Sequence, residues 1–245
     1  MAYDNPLFER THILLGDTGI ERLQNSHVFI AGVGGVGSFT AEALARMGVG
    51  QLTLVDHDVV SASNTNRQLI ALASTLGRLK VEVMAERIAE INPLCQVHLV
   101  TDFLTPTTMP EVVTQKFDVV VDAIDSLSSK TALLETAWRN QIPVFSSMGA
   151  GGKLDPTQVR TGDLMNTSIC KLAKQMRAQL RKRGVGKGIQ TVYSLESPLP
   201  PLPPEPVSHG RPRAVNGTVS YMPSIFGLTL AGLVVNHLVG NARRV

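Results

Sequence analysis

The chain has 245 residues, of which 43% are hydrophobic and 18% are charged, and its formal net charge is +3. This length supports a full hydrophobic core in one large α/β domain or two small ones, and we expect a single domain over residues 1–245. The two cysteines, Cys95 and Cys170, exclude a disulfide framework and a four-cysteine zinc site. Residues 1–9 lack the apolar run of a secretory signal, so we expect a cytoplasmic protein.

Apolar runs alternate with helical patterns along the chain. The runs predict strands at Val28–Ala31, Leu52–Val55, Val97–Val100, Val119–Val121 and Val144–Ser146. The patterns predict helices at Ser38–Met47, Gly77–Ile91, Ser129–Asn140 and Ile169–Arg183. This alternation implies right-handed crossovers, and we expect an α/β fold of the Rossmann-like, doubly wound kind, with a mainly parallel sheet and flanking helices.

Two later segments have a composition of their own. Six prolines fall within Ser197–Pro206, which excludes a helix or an inner strand there. We interpret residues 197–217 as a proline-rich crossover loop over the active site, with a linker or a peptide-recognition ligand as the alternatives. The apolar stretch Ile225–Val239 predicts a buried final helix. It is shorter than the ~20 residues of a membrane span, so a membrane anchor is the less favoured interpretation.

The turn after the first predicted strand carries the most informative motif. Gly32, Gly34 and Gly37 fit G-x-G-x-x-G, which lets backbone N–H groups approach a phosphate at a helix N-terminus. Asp56 follows at the spacing of an acid that binds ribose hydroxyls. The motif predicts a nucleotide site, but it leaves open whether the nucleotide is NAD, which carries hydride, or ATP, which is cleaved.

Further polar residues and glycines follow the strands, at the edge of the sheet where ligands bind. After the second, fourth and fifth predicted strands stand Asp56, Asp58, Asp122, Asp125, Gly149, Gly151 and Gly152. Arg67 and Lys80 supply more positive charge than a pyrophosphate needs, and they suit a triphosphate. Asp125 is placed to hold Mg²⁺ together with phosphate oxygens. This set favours ATP over NAD.

A combination of motifs lies within a segment that extends from about Arg10 to Gly152. It consists of Gly32-x-Gly34-Gly35-x-Gly37, Asp56-x-Asp58, Ser63-Asn64-x-x-Arg67-Gln68, Lys80 and Asp122-x-x-Asp125. This combination resembles the ubiquitin-activating-enzyme-like adenylating superfamily. The resemblance implies that ATP is bound by Gly32, Gly34, Gly35, Gly37, Asp56, Asp58, Asn64, Arg67, Lys80 and Asp125.

The same resemblance implies individual roles. Asp56 would bind the ribose, Asn64, Arg67 and Lys80 would contact the phosphates, and Asp125 would hold Mg²⁺. Catalysis would then depend on Arg67, Lys80, Asp125 and Arg10. Because the matching N-terminal arginine reaches the phosphates of the neighbouring subunit in that superfamily, Arg10 implies a homodimer.

Cysteine usage and later motifs narrow the resemblance. The chain has no paired Cys-x-x-Cys motifs of the kind that sulfur-carrier activators use for zinc, and residues 197–217 contain no cysteine nucleophile. The segments Gly149–Gln158 and Thr161–Leu164 are similar to the tRNA threonylcarbamoyladenosine dehydratases. That similarity implies ATP-dependent dehydration of threonylcarbamoyladenosine at position 37 of tRNA through a carboxylate adenylate, without an enzyme thioester.

Two other functions stay open at this point. One is ATP-dependent adenylation of the C-terminus of a ubiquitin-like sulfur-carrier protein, in which case a carrier or sulfur-transfer protein is a partner. The other is a regulator that retains NAD and binds nucleic acid.

Residues 164–195 contain no Asp or Glu but hold Lys171, Lys174, Arg177, Arg181, Lys182, Arg183 and Lys187. Against the total of +3, these seven cations leave the rest of the chain at −4. We interpret residues 164–195 as a basic helical segment that binds a polyanion, with an ordinary solvated helix face as the alternative. The resemblance makes tRNA the partner, bound through its phosphates with an affinity that falls with salt.

Overall fold

The computed structural model describes residues 5–202 and 216–240. The strands are β1 (His27–Ala31), β2 (Gln51–Val55), β3 (Gln96–Val100), β4 (Val119–Asp122), β5 (Val144–Ser147), β6 (Val159–Asp163) and β7 (Ile189–Ser194). The α-helices are α1 (Glu9–Gln24), α2 (Gly37–Arg46), α3 (Lys80–Ile91), α4 (Met109–Val112), α5 (Leu127–Arg139), α6 (Lys171–Lys182) and α7 (Tyr221–Val239).

The strands form one sheet in the order β3-β2-β1-β4-β5-β7-β6. All neighbouring strands are parallel except β6 and β7, which are antiparallel. The strand order reverses between β1 and β4, because the chain builds one half of the sheet outward from β1 and the other half outward from β4. Open α/β sheets bind ligands at this switch point, beyond the carboxyl ends of the strands. The predicted mainly parallel α/β fold is confirmed.

The predicted strands are confirmed as β1 to β5, each within one residue at either end. The predicted helices correspond to α2, α3, α5 and α6, but three of their starting points are wrong. The helix α5 begins two residues before the predicted Ser129, at Leu127. Gly77 has a φ of +80° and Ile169 a φ of +61°, and both values belong to the left-handed region. The two helices therefore begin later, at Lys80 and Lys171.

Only part of the basic segment 164–195 is helical, close to the helix predicted at Ile169–Arg183. The helix α6 ends at Lys182, because Gly184 with a φ of +76° turns the chain away. The chain then enters β7 at Ile189, so that Lys187 lies in the connection rather than on the helix. Strands β6 and β7 and helices α1 and α4 were not predicted, and α1 is interrupted at Gly16, whose φ is +66°.

The helices cover both faces of the sheet. Residues of α1, α2, α3 and α7 pack in one hydrophobic cluster, and residues of α4, α5 and α6 pack in the other. Successive residues of β1 alternate between them, since Ile30 belongs to the first cluster and Phe29 to the second.

The final helix α7 packs directly on α2. A Cβ atom on Gly227 would lie 2.4 Å from the carbonyl oxygen of Val36, so a glycine is needed for this close approach. The Thr40 hydroxyl donates to the Gly227 carbonyl at 3.0 Å. Among the described residues, α7 is the one helix long and apolar enough to cross a membrane, and half of its span is buried inside the protein. The predicted buried final helix is confirmed.

Candidate active site

Two glycines shape the turn between β1 and α2 where a side chain would collide. Gly32 has a φ of +92°, and a Cβ atom there would lie 2.7 Å from the carbonyl oxygen of Ala123. A Cβ atom on Gly37 would lie 1.7 Å from the carbonyl oxygen of Gly32. The tight turn starts α2 at Gly37, so the N–H groups of its first turn lie at the carboxyl edge of the sheet. A helix N-terminus in this position attracts a phosphate.

Asp56 ties the end of β2 to this glycine turn. Its Oδ2 accepts the backbone N–H of Val33 at 2.7 Å, and its Oδ1 accepts the backbone N–H of Asp58 at 3.0 Å. The side chain is half-buried, and each carboxylate oxygen can accept a further hydrogen bond. Asp56 is therefore oriented beside the turn as an acceptor, which is the property a ribose-binding acid needs.

Lys80 opens α3 and forms an ion pair with Asp58. Its Nζ lies 2.7 Å from Asp58 Oδ2, and the Lys80 side chain is 7% exposed whereas that of Asp58 is 53% exposed. His57 Nε2 lies 3.3 Å from the other oxygen of Asp58. Hydrogen bonds thus connect the glycine turn through Asp56 and Asp58 to the Lys80 ammonium.

The loop from Ser61 to Gln68 places Asn64 and Arg67. Asn64 is buried, and its Oδ1 accepts the Ser61 backbone N–H at 3.1 Å, which shapes a short 3₁₀ turn. Arg67 Nη1 donates to the Ser63 carbonyl and to Asn66 Oδ1, both at 2.9 Å. Within residues 5–202 and 216–240, the Arg67 guanidinium has no carboxylate partner, so its charge is available to an anion.

Arg67 lies against the glycine turn. A Cβ atom on Gly35 would lie 3.5 Å from Arg67 Cγ and 3.4 Å from the Arg67 carbonyl oxygen. The structure therefore brings together, beside one turn, the glycines and Arg67, and hydrogen bonds connect the same turn to Asp56, Asp58 and Lys80.

A second ion pair lies at the end of β4, and it is entirely buried. Asp122 Oδ2 lies 2.8 Å from Lys130 Nζ of α5, and both side chains are 1% exposed or less. The Ser146 hydroxyl of β5 donates to the same carboxylate at 2.5 Å, and the Ile124 backbone N–H donates to its other oxygen at 3.2 Å. Burial raises the pKa of the Asp122 carboxyl, and the Lys130 ammonium opposes this rise.

This buried pair holds the loop that carries Asp125. Lys130 Nζ also donates to the Ile124 carbonyl at 2.9 Å, and the Ala123 backbone N–H donates to the Ala31 carbonyl at 2.8 Å. These two hydrogen bonds hold the loop next to the glycine turn, while the Asp125 side chain is exposed. An exposed carboxylate beside a phosphate cradle matches the way Mg²⁺ is usually bound, through one or two carboxylates and phosphate oxygens.

Another group of possible metal donors is already engaged. Asp56, His57 and Asp58 offer ligand atoms within 4.8 Å of one another. However, Asp56 accepts two backbone N–H bonds and Asp58 pairs with Lys80, so the hydrogen-bond network described above uses these carboxylates.

Arg10 is not brought to the glycine turn of its own chain. Phe8, two residues earlier, packs at Gly48, where a Cβ atom would lie 3.3 Å from the Phe8 ring. Gly48 follows the C-terminal end of α2, and a helix of this length separates its ends by about 15 Å. Arg10 is exposed. Because it follows Phe8 by two residues, we infer that it lies toward the amino edge of the sheet rather than at the glycine turn.

The basic residues of α6, together with Arg183 directly after it, divide into free and engaged cations. Ala173, Met176 and Leu180 face the core, which leaves an exposed stripe of Lys171, Lys174, Arg181 and Lys182. None of these four forms an ion pair with a residue that the structure describes. In contrast, Arg177 donates to the Thr167 hydroxyl, and Arg183 Nη1 lies 2.7 Å from Glu135 Oε2.

Both described ends of the proline-rich loop meet near the candidate site. The Leu199 backbone N–H donates to the Gly152 carbonyl at 2.7 Å, and the Gly152 N–H donates to the Gly217 carbonyl at 2.8 Å. Asn66 Nδ2 donates to the Thr218 carbonyl at 2.9 Å, which joins the loop to the Arg67 segment. Residues 203–215 of the predicted loop lie outside the described residues.

Two residues of the candidate site, Lys130 and Gln68, were assigned no role from the sequence. Lys130 was not singled out, although it shares a helical stripe with Leu133, Leu134 and Ala137, and a lysine on such a stripe signals a buried partner. Gln68 was noticed only as part of a motif and received no role, yet its side chain is buried beside the turn.

At the switch point of the sheet, a glycine turn at a helix N-terminus lies beside an acid and two cations. This arrangement is typical of nucleotide-binding α/β proteins of the adenylating class. The ThiF family profile matches residues 8–244, and the chain belongs to this family.

Individual relatives cover nearly the whole chain. The tRNA threonylcarbamoyladenosine dehydratase of Bacillus subtilis is 41% identical over 239 residues, which cover 95% of this chain and 94% of that protein. The solved structure of the E. coli tRNA N6-threonylcarbamoyladenosine dehydratase in complex with AMP is 37% identical with a TM-score of 0.87, covering 99% of this chain and 98% of that one. The adenylyltransferase and sulfurtransferase MOCS3 of Drosophila sechellia is 30% identical, and the match covers 87% of this chain but 42% of that protein.

Proposed function

We propose that this chain is an ATP-dependent dehydratase that cyclises threonylcarbamoyladenosine at position 37 of tRNA through a carboxylate adenylate. The observation that carries the proposal is the assembly of the glycine turn, Asp56, Arg67 and Lys80 at one edge of the sheet. The near full-length similarity to dehydratases supports the choice of substrate. The similarity also supports ATP as the nucleotide, because the E. coli dehydratase, with a TM-score of 0.87, has been solved in complex with ATP.

The reaction balances without a covalent enzyme intermediate. A carboxylate oxygen of the threonylcarbamoyl group attacks the α-phosphorus of ATP, and the bond to the β-phosphate breaks to release pyrophosphate. The carbamoyl group then attacks the activated carbonyl carbon and loses an N–H proton to solvent, and AMP leaves with one of the former carboxylate oxygens. The substrate has thereby lost the elements of water.

The protein contributes positioning and electrostatic stabilisation. Arg67 offers a planar guanidinium and Lys80 a point charge to the phosphates, where negative charge moves onto the leaving pyrophosphate. Lys80 reaches a phosphate by exchanging its bond to Asp58, whose exposed carboxylate can return to water. Asp56 and the glycine turn hold the nucleoside end in place.

Mg²⁺ is part of the proposal, with Asp125 as its carboxylate ligand. Asp125 would hold the ion, which would supply additional charge neutralisation at the phosphates. The buried ion pair of Asp122 and Lys130 holds the loop that carries Asp125, because Lys130 also donates to the Ile124 carbonyl of this loop.

The position of Arg10 supports a homodimer in which this residue serves the partner's site. Arg10 lies away from the glycine turn of its own chain, so the phosphate-binding role that the resemblance implies for it requires a second copy. Leu7, Ile13 and Leu14 surround it in sequence and are 51%, 51% and 70% exposed. Exposed apolar side chains of this kind are typical of a surface that another protein covers.

The exposed stripe of Lys171, Lys174, Arg181 and Lys182 is the proposed tRNA-binding surface. The helix starts beside the site, since Leu172 Cδ2 would lie 3.8 Å from a Cβ atom on Gly149. Its far end meets the C-terminal end of α5, where Arg139 donates to the Arg183 carbonyl at 2.7 Å. A backbone bound along the stripe would leave the modified base near the nucleotide. Since tRNA and ATP are cytoplasmic, we place the reaction there.

Pyrophosphate release tests the function. We expect release with tRNA that bears threonylcarbamoyladenosine, no release with unmodified tRNA, and none with a ubiquitin-like carrier protein. Release that depends on the carrier would favour carrier adenylation instead, which the match to less than half of MOCS3 does not favour. A chain that retains NAD and consumes no ATP would contradict both functions.

A further inference from the structure

Gln68 lies against the glycine turn, and the proposed reaction gives this residue no role. It directly follows Arg67, and its backbone N–H donates to the Asn64 carbonyl at 2.9 Å. A Cβ atom on Gly34 would lie 3.6 Å from Gln68 Nε2, so the amide nitrogen is in contact distance of the glycine turn. The residue is 8% exposed.

The other end of this amide is unusual. Gln68 Oε1 is buried and has no hydrogen-bond partner among the described residues. Leaving a buried acceptor unpaired costs free energy, and most buried side-chain amides avoid it. Asn92 shows the ordinary case, because it is 2% exposed and its amide donates to Ala45 at 3.1 Å and accepts from Leu94 at 3.2 Å.

An apolar side chain at position 68 would avoid the free-energy cost of the unpaired Oε1, so the presence of an amide there calls for an explanation. Proteins accept such local conflicts mainly at functional sites. The orientation of Gln68 provides the reason, since its donor nitrogen lies toward the turn. Phosphate oxygens accept hydrogen bonds and do not donate them, so a donor at this place suits a bound triphosphate.

We propose that Gln68 is a phosphate ligand, whose Nε2–H donates to a phosphate oxygen of ATP held in the glycine turn. The inference rests on the proposed ATP site and adds a neutral donor to the cations Arg67 and Lys80. The buried Oε1 confines the amide to one side of the loop, and the hydrogen bond to a charged oxygen offsets the cost of burying it.

The decisive variant is Gln68→Met, which keeps the length of the side chain and removes both the donor and the unpaired acceptor. We expect the melting temperature of the free protein to stay equal or rise, because an unpaired polar atom is lost. The Kd for ATP should rise on the order of tenfold, as for a hydrogen bond to a charged group. The Kd for adenosine should stay within about twofold of the wild-type value, since adenosine has no phosphate.

Asn92→Leu is the matched control, since it removes a buried amide whose partners are present. We expect it to lower the melting temperature and to leave the ratio of the ATP and adenosine affinities unchanged. Gln68→Glu is the second variant: it replaces the donor by a negative acceptor and should weaken ATP more than adenosine.

The two proposals fail in different ways. If the wild-type chain binds ATP and Gln68→Met lowers the melting temperature while the affinity ratio is unchanged, Gln68 is structural and this inference is overturned. If the wild-type chain binds no ATP, the proposed function is overturned and the inference falls with it.

Discussion

Two lysine–aspartate pairs lie at the same edge of the sheet, and they differ in how the aspartate meets water. The Nζ–O distances are 2.7 Å for Lys80 with Asp58 and 2.8 Å for Lys130 with Asp122. The Asp58 side chain is 53% exposed, whereas that of Asp122 is fully buried. An exposed carboxylate can be rehydrated when its lysine leaves, but a buried one cannot. The first pair is therefore exchangeable, and the second is fixed.

The largest expected effect is on stability, from Lys130→Met. This variant leaves the Asp122 charge buried without a partner, and removal of one member of such a pair costs about 3–5 kcal/mol. Urea denaturation measures the loss. The double variant Asp122→Leu/Lys130→Met should recover most of it, because no uncompensated charge is left. A single variant within about 1 kcal/mol of wild type would contradict the fixed character of this pair.

Asp125→Ala tests the loop that the fixed pair holds. We expect the cyclised product in tRNA to form about a thousandfold more slowly, equivalent to about 4 kcal/mol, because the carboxylate that would hold the charge-neutralising Mg²⁺ is lost. Mass analysis of the tRNA measures product, and gel filtration checks that the protein stays folded and associated. Asp102→Ala, at an exposed aspartate after β3, is the control. Full activity of Asp125→Ala would remove Asp125 from the metal site.

Lys80→Met tests the exchangeable pair. We expect tRNA-dependent pyrophosphate release to fall roughly 10²–10³-fold, the usual loss for one preorganised charge-stabilising group. Stability should change by less than about 1 kcal/mol, because Asp58 returns to water. If Lys80→Met unfolds the protein as Lys130→Met does, the distinction between the two pairs is wrong.

The same contrast between free and engaged cations applies to α6. Arg181→Glu/Lys182→Glu reverses two free charges, and we expect tRNA affinity to fall on the order of tenfold and to depend less steeply on salt. The affinity for ATP should be unchanged. Lys116→Glu/Arg160→Glu, at exposed cations elsewhere, controls for total charge. Equal tRNA affinity of the two double variants would contradict a tRNA-binding role and show that the stripe is an ordinary solvated helix face.

The smallest effect is expected from Asp58→Asn. The pair it weakens is open to water on the aspartate side, so unfolding free energy should change by less than about 1 kcal/mol. Thermal or urea denaturation of Asp58→Asn and Asp122→Asn, measured side by side, compares their losses of unfolding free energy. A loss as large as that of Asp122→Asn would show that exposure does not separate the two pairs.

Much of the site was predictable because it follows strand ends. Gly32 and Gly37 are required by local sterics, and the acids after β2 and β4 stand at the edge that parallel topology creates. Arg67 and Lys80 were found through a motif rather than through periodicity. Their shared position beside one turn is now described, while their contacts with ATP stay a prediction.

Other features could not be read in this way, because they depend on segments far apart in the chain. The partner of Lys130 is supplied by β4 and further bonded from β5, and the helical stripe by itself does not reveal which acid lies opposite. Gly184 and Gly188 were visible inside the basic segment, but the antiparallel pairing of β7 with β6 decides that the chain becomes a strand there.

The sequence by itself determined the strand–helix alternation, the phosphate-binding turn and the family, since each is encoded by periodicity, by glycine sterics or by closely spaced motifs. The tertiary structure alone decided which aspartate is exposed, which cations of α6 are engaged, and that Arg10 lies away from its own chain's glycine turn. Burial and ion pairing are properties of several packed segments at once, so they appear only when the chain has folded.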